Sequence, residues 1–158
     1  MTLFKVEELE AGPLLDQAVL RALGATHAQE CPEGVPDNVR ARWPADGCLV
    51  LVDGSNMAFY GQPPPFSTDW GVAGPLIERE RITVQASQAG DWRSFKGDGT
   101  TNPGTERSST EPLVQARADT PIVAAMRVLV LHKVGPTIEV RERSWNVGTP
   151  TVTQGPPR

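Results

Sequence analysis

Two stretches decide the fold: STDWGVAGPLIERERI, from Ser67 to Ile82, and TPIVAAMRVLVLHKVG, from Thr120 to Gly135. In the second, Thr120 is an N-cap and Pro121 a first-turn residue. A capping hydroxyl accepts from an otherwise orphan helix N–H, and the N–H that proline lacks has no helical partner at that position. Ile122, Met126, Leu129 and Val130 form an apolar stripe, widened by Val123, Leu131 and Val134. The pattern predicts a largely buried helix that ends at Gly135-Pro136. In the first stretch, Ser67 or Thr68 can cap, Asp69 meets the positive end of the helix dipole, and a helix follows to about Glu80. Gly71, Gly74 and Pro75 make this helix intrinsically poor. Tertiary packing must hold it, or the element is two short turns.

Outward from these helices the pattern is mixed. Leu3 to Val6 reads as a short strand. A helix is expected from about Ala11 to Leu23, since Leu15, Val19 and Leu23 recur every four residues with Pro13 at the start and Gly24 at the end. Residues 25–46 are rich in Pro, Glu, Asp and Ala and read as loop, with a short piece around Val39 to Trp43. Cys48 to Val52 is a buried strand closed by Asp-Gly. Ile82 to Ser87 and Asp91 to Phe95 alternate as a hairpin around QAGD. Leu113 to Ala116 adds a short strand, and Thr137 to Arg141 the last one. The order is β-α-loop-β-α-β-β-(β)-α-β. The fold class is therefore α+β, a small and largely antiparallel sheet with helices packed on it. Residues 1–143 form one domain with mobile loops at about 25–46 and 96–112, and 144–158 form a flexible Gly/Pro/Thr tail.

With 158 residues the chain can bury a sizeable core. Its 15 Pro and 15 Gly approach a fifth of the residues, so long loops must accompany that core. The formal net charge of −4 argues against general binding to a nucleic-acid polymer, which starts from a basic surface. The N-terminus has no apolar core of a secretion signal, and the run from Ile122 to Leu131 is too short to cross a bilayer. The expectation is a protein of the cytoplasm with no membrane partner. Cys31 and Cys48 are isolated, without metal-ligand spacing, and read as two free thiols rather than a disulfide. No metal and no cofactor are expected.

The two motifs, with Trp92 between them, resemble the phage ABA-sandwich family, which includes the NinX-like proteins of bacteriophages. The matching residues are Ser67, Thr68, Asp69, Trp70, Gly74, Pro75, Ile77, Glu78 and Arg79, then Trp92, then Thr120, Pro121, Ile122, Ala124, Ala125, Met126 and Arg127. The resemblance spans roughly Leu14 to Val140. It implies an αβα-type sandwich in a phage or prophage protein, hence in the cytoplasm of a bacterial host, and it implies no assigned chemistry. Lys96 to Pro112 looks like an insertion relative to the family pattern.

Catalytic sets are incomplete. His27 and His132 are the two histidines, and a Cys31–His27 pair has no helix N-terminus or Gly turn to activate the thiol. GDGTTNPG, Gly97 to Gly104, lacks the Lys-Ser/Thr ending of a phosphate-binding loop. The expectation is a protein that is not an enzyme. The candidate ligand-binding residues are Ser67, Thr68, Asp69, Trp70, Glu78, Arg79, Trp92 and Arg127. Tryptophan can stack a base, arginine can pair a phosphate, and the acids can accept base or ribose hydrogens. The bland alternative is that Asp69 caps, Trp70 packs and Glu78-Arg79 form local ion pairs. The leading expectation is a non-enzymatic accessory protein that binds a small ligand, an anti-defence sponge that holds a nucleotide-type immune signal. The alternative is an interaction module for a host or phage protein. Self-association as a homodimer or higher homo-oligomer is expected from the open edges of so small a sheet.

Overall fold

The computed structural model describes residues 2–96, 114–141 and 152–154. The expected insertion after Lys96 and most of the expected tail lie outside them. The fold is mixed α+β. The described residues form four helices, α1 (Pro13–Ala22), α2 (Asp37–Arg40), α3 (Trp70–Arg79) and α4 (Pro121–Lys133), and nine strands. The strands are β1 (Thr2–Lys5), β2 (Thr26–Ala28), β3 (Cys48–Asp53), β4 (Asn56–Tyr60), β5 (Thr83–Ala86), β6 (Trp92–Lys96), β7 (Val114–Ala118), β8 (Thr137–Val140) and β9 (Val152–Gln154). Every pairing is antiparallel. The strands divide into three small sheets, ordered β1-β8, β2-β3-β4-β9 and β5-β6-β7.

α4 is the centre of the molecule. Ile122 to Met126 and Val128 to Val130 are all buried, so almost no face of this helix is polar. Such a helix must be covered on every side. The β5-β6-β7 sheet covers one side, and α1, α3 and the Val6–Glu8 turn cover others. The Thr120 hydroxyl accepts from the Val123 N–H, and Pro121 occupies the first turn.

α3 forms as one helix despite Gly71, Gly74 and Pro75. Ala73 and Leu76 bury its inner side. Its C-terminus closes with two bonds, Arg81 N–H to Glu78 O at 3.1 Å and Ile82 N–H to Ile77 O at 3.0 Å. This paired closure needs a left-handed residue after the cap, and Arg81 supplies it at φ 52°.

The sheet around β3 holds a second, smaller core. Val35, Val39, Val50 and Phe59 are buried there, with Trp43 edge-on to Phe59 at 5.7 Å. Residues 25–46, expected as loop, carry β2, α2 and part of this core. β4 was missing from the expected order. Its signal is Asp53-Gly54: the hairpin turns at Gly54-Ser55 with Gly54 at φ 61°, where a side chain is disfavoured. β9 lies in the expected tail and pairs with β4.

Candidate functional site

The eight residues singled out in the sequence divide into a buried node, an exposed helix surface and two packing positions. Ser67 is the node. It is 1% exposed; its Oγ accepts from the Gly12 N–H at 2.8 Å, and its own N–H donates to Asp16 Oδ1 at 2.7 Å. Burial pushes the Asp16 carboxyl above its usual range, while the Ser67 hydroxyl and N–H pull it partly back. Ser67 therefore locks the entry of α3 onto the first turn of α1.

Thr68, Asp69, Trp70, Glu78 and Arg79 are all exposed. Asp69 caps α3, its Oδ1 accepting from the Gly71 N–H at 2.8 Å. Trp70 follows at once and stays 51% exposed. Arg79 sits nine residues later, about 13 Å along the axis and half a turn around it. Trp70 and Arg79 thus border the solvent half of α3, with exposed Gly71, Pro75 and Glu78 between them. Arg79 reaches Glu80 Oε1 at 3.5 Å with 64% of its side chain exposed, which leaves it largely free. Thr68 and Asp69 precede the helix, and Trp70, Glu78 and Arg79 lie along its solvent side.

Trp92 and Arg127 lie elsewhere. Trp92 is half-buried against the main core and faces Ala86 and Ala118 across the sheet. Arg127 projects from α4 and is spent on carbonyls: Nε donates to Leu9 O at 2.9 Å and an Nη to Arg117 O at 2.7 Å. Burial lowers its pKa, against the pull of Asp119, Glu10 and Glu7. Its role is to tie the chain after the Val6–Glu8 turn to β7.

One cluster escaped the sequence reading. Along β6 the side chains alternate, so Trp92 and Ser94 face α4 while Arg93 and Phe95 face away. The register sets Arg93 directly opposite Arg117 of β7 on that outer face. Beside them opens a recess of about 320 Å³, lined by Glu7, Arg93, Gln115, Ala116 and Arg117. The available signal was the alternation in DWRSF and VQARA, but register between strands so far apart is not written in either segment alone.

Among the described residues no group of three or more His, Cys, Asp or Glu side chains is placed to hold a metal ion. Among the same residues no helix is long and apolar enough to cross a membrane. Residues 5–133 match the model of the family described as Bacteriophage P22, NinX. No curated protein matches the chain.

Proposed function

The chain belongs to the bacteriophage P22 NinX family and is a phage accessory protein; on that premise we propose that it acts by stoichiometric binding rather than turnover, docking a host or phage protein on the solvent half of α3. The observation that carries this reading is Trp70, half exposed on a helix whose entry is fixed by Asp69 and Ser67. An exposed Trp at a capped helix start, with an accessible Arg on the same helix, has the composition of an interface hot spot. Small-molecule sites are concave, whereas the solvent side of a helix is by its geometry a cylinder's outer face. Gly71 and Pro75 between the two side chains let a partner approach the helix backbone closely. The site of action in this reading is the cytoplasm of the bacterial host.

The test is a pull-down from phage-infected cells with the wild type and Trp70→Ala. One protein recovered in stoichiometric amount with the wild type and lost with Trp70→Ala is expected. Equal recovery with both would remove α3 from the account.

The sponge reading has its own support. A concave, arginine-lined recess exists on the β5-β6-β7 sheet, and neither Arg79 nor Arg127, the arginines expected to pair phosphate, lines it. In that reading the protein sequesters a nucleotide-type immune signal. Mass spectrometry of material released by heat tests it, and an empty protein would count against it. A two-fold homodimer fits the short edge strand β1, where Leu3 is 63% exposed, and light scattering measures it.

A further inference from the structure

We propose that the recess between β6, β7 and Glu7 is an anion site that takes a small phosphomonoester, its phosphate held between the guanidinium groups of Arg93 and Arg117. This stands independently of any role for α3. Four observations carry it.

Arg93 and Arg117 are directly opposed across two antiparallel strands. Like charges in that relation destabilise a sheet unless something neutralises them. The Nε of Arg93 is buried and has no hydrogen-bond partner. A buried N–H without an acceptor is costly, and an anion on the side of the same guanidinium that lines the recess offsets part of that cost through charge.

Among the described residues, acids supply that complement only in part: Arg117 has one long ion pair, to Asp91, and Arg93 has none. Asp91 Oδ2 lies 3.9 Å from Arg117 Nε, outside hydrogen-bond range, and its other oxygen accepts from the Ser87 hydroxyl. Glu7 lines the recess, and among the described residues it makes no ion pair with either arginine.

The walls are fixed in advance. Arg127 holds Leu9 O and Arg117 O at once, so the segment bearing Glu7 and the strand bearing Arg117 keep their separation. Arg127 is a positioning residue here, since it touches the walls and does not line the recess. A site built before its ligand arrives loses less entropy on binding.

The shape and charge define the ligand class. Paired planar guanidiniums match the oxygens of phosphate. A volume of about 320 Å³ lies at the low end of small-molecule pockets, which run from about 300 to 1,000 Å³. One phosphate with a sugar-sized group fits; a polymer does not. Glu7 on the facing wall disfavours a second phosphate and offers an acceptor to a ligand hydroxyl. The site should therefore prefer glycerol 3-phosphate or AMP over pyrophosphate.

The experiment is a thermal melt in low salt with inorganic phosphate, AMP and pyrophosphate, using wild type, Arg93→Gln, Arg117→Gln and Arg79→Gln. Phosphate and AMP should raise the wild-type and Arg79→Gln midpoints in a saturable way, AMP more strongly than pyrophosphate. Arg93→Gln and Arg117→Gln should each lose about tenfold or more in affinity, the scale of one charge-assisted contact. In phosphate-free buffer both should melt at or above the wild type, because one of two opposed cations is gone. A merely structural arginine would melt lower. Arg117 is the more exposed of the two, so Arg117→Gln carries the test if Arg93→Gln does not fold. No phosphate-dependent rise in the wild type, an equal loss in Arg79→Gln, or a lower phosphate-free midpoint in Arg117→Gln would overturn the proposal.

Discussion

Gln17 grips Arg141 by both backbone groups: its Nε2 donates to the Arg141 carbonyl at 3.1 Å, and its Oε1 accepts the Arg141 N–H at 2.8 Å. The glutamine amide copies what a neighbouring strand would offer. It is 2% exposed on α1, so it ties that helix to the chain just past β8 in a place water does not reach. Gln17→Leu keeps the bulk and leaves two backbone groups without partners. The expected loss is about 2–4 kcal/mol, from about 1–3 kcal/mol for each buried unsatisfied group. Urea unfolding measures it, and an unchanged midpoint would show that water or another group takes over.

Ser67 tests how much of the first motif encodes fold. Ser67→Ala removes the acceptor of the Gly12 N–H and a hydroxyl donor to Asp16. The expected cost at neutral pH is about 1–3 kcal/mol. The sign with pH follows from Asp16, whose folded pKa is raised above its ordinary 3.8. Ionising such a carboxyl costs stability as pH rises through the folded value. Without the Ser67 hydroxyl that cost grows, so the defect should shrink in acid. Thr68→Ala, next door and exposed, should change stability by less than about 0.5 kcal/mol. Melts of both variants at pH 7 and pH 3 check this.

Glu80 gives a second pH dependence. Burial by itself would raise its carboxyl, but Lys96 at 2.6 Å and Lys133 at 3.4 Å outweigh that and hold it below its ordinary 4.5. The stability it contributes is present above about pH 4.5 and is lost as pH falls through the folded value. Glu80→Gln leaves two lysines facing each other where α3, β6 and α4 meet. The expected loss at pH 7 is about 1.5–3 kcal/mol, the scale of a hydrogen bond to a charged group. The variant should also show a flatter acid limb. Equal acid limbs in wild type and variant would contradict this.

Arg81 is a backbone position with the wrong residue for it. It holds the left-handed conformation that ends α3, at φ 52°. Arg81→Gly should stabilise by about 1 kcal/mol, since glycine carries no Cβ penalty there. A destabilised variant would mean that the arginine side chain has a role of its own.

These positions show which parts of the structure could be read in advance. The α+β class, α1, α3, α4 and the β5-β6 hairpin were legible because local periodicity and caps such as Thr120 and Pro13 act within a few residues. β2 and α2 were not, because Val35 and Val39 are buried only through contact with Val50 and Phe59. Division into three sheets depends on which strands meet, and no single segment states that. Within the candidate site, Asp69 caps α3 where Ser67 or Thr68 was the expected cap, and Trp70 is exposed where the bland alternative packed it. The opposition of Arg93 and Arg117 depends on register across β6 and β7. Arg127 looked like a phosphate ligand in sequence, yet two carbonyls occupy it, and only tertiary geometry could show that.

The most direct test of docking on α3 is site-specific photocrosslinking from Thr68 in phage-infected cells, which leaves Trp70 intact. The account predicts crosslinks that converge on one host or phage protein and vanish when Trp70→Ala is added. No crosslinked protein, together with a stoichiometric nucleotide released from the same preparation by heat, would contradict it and assign the function to ligand capture.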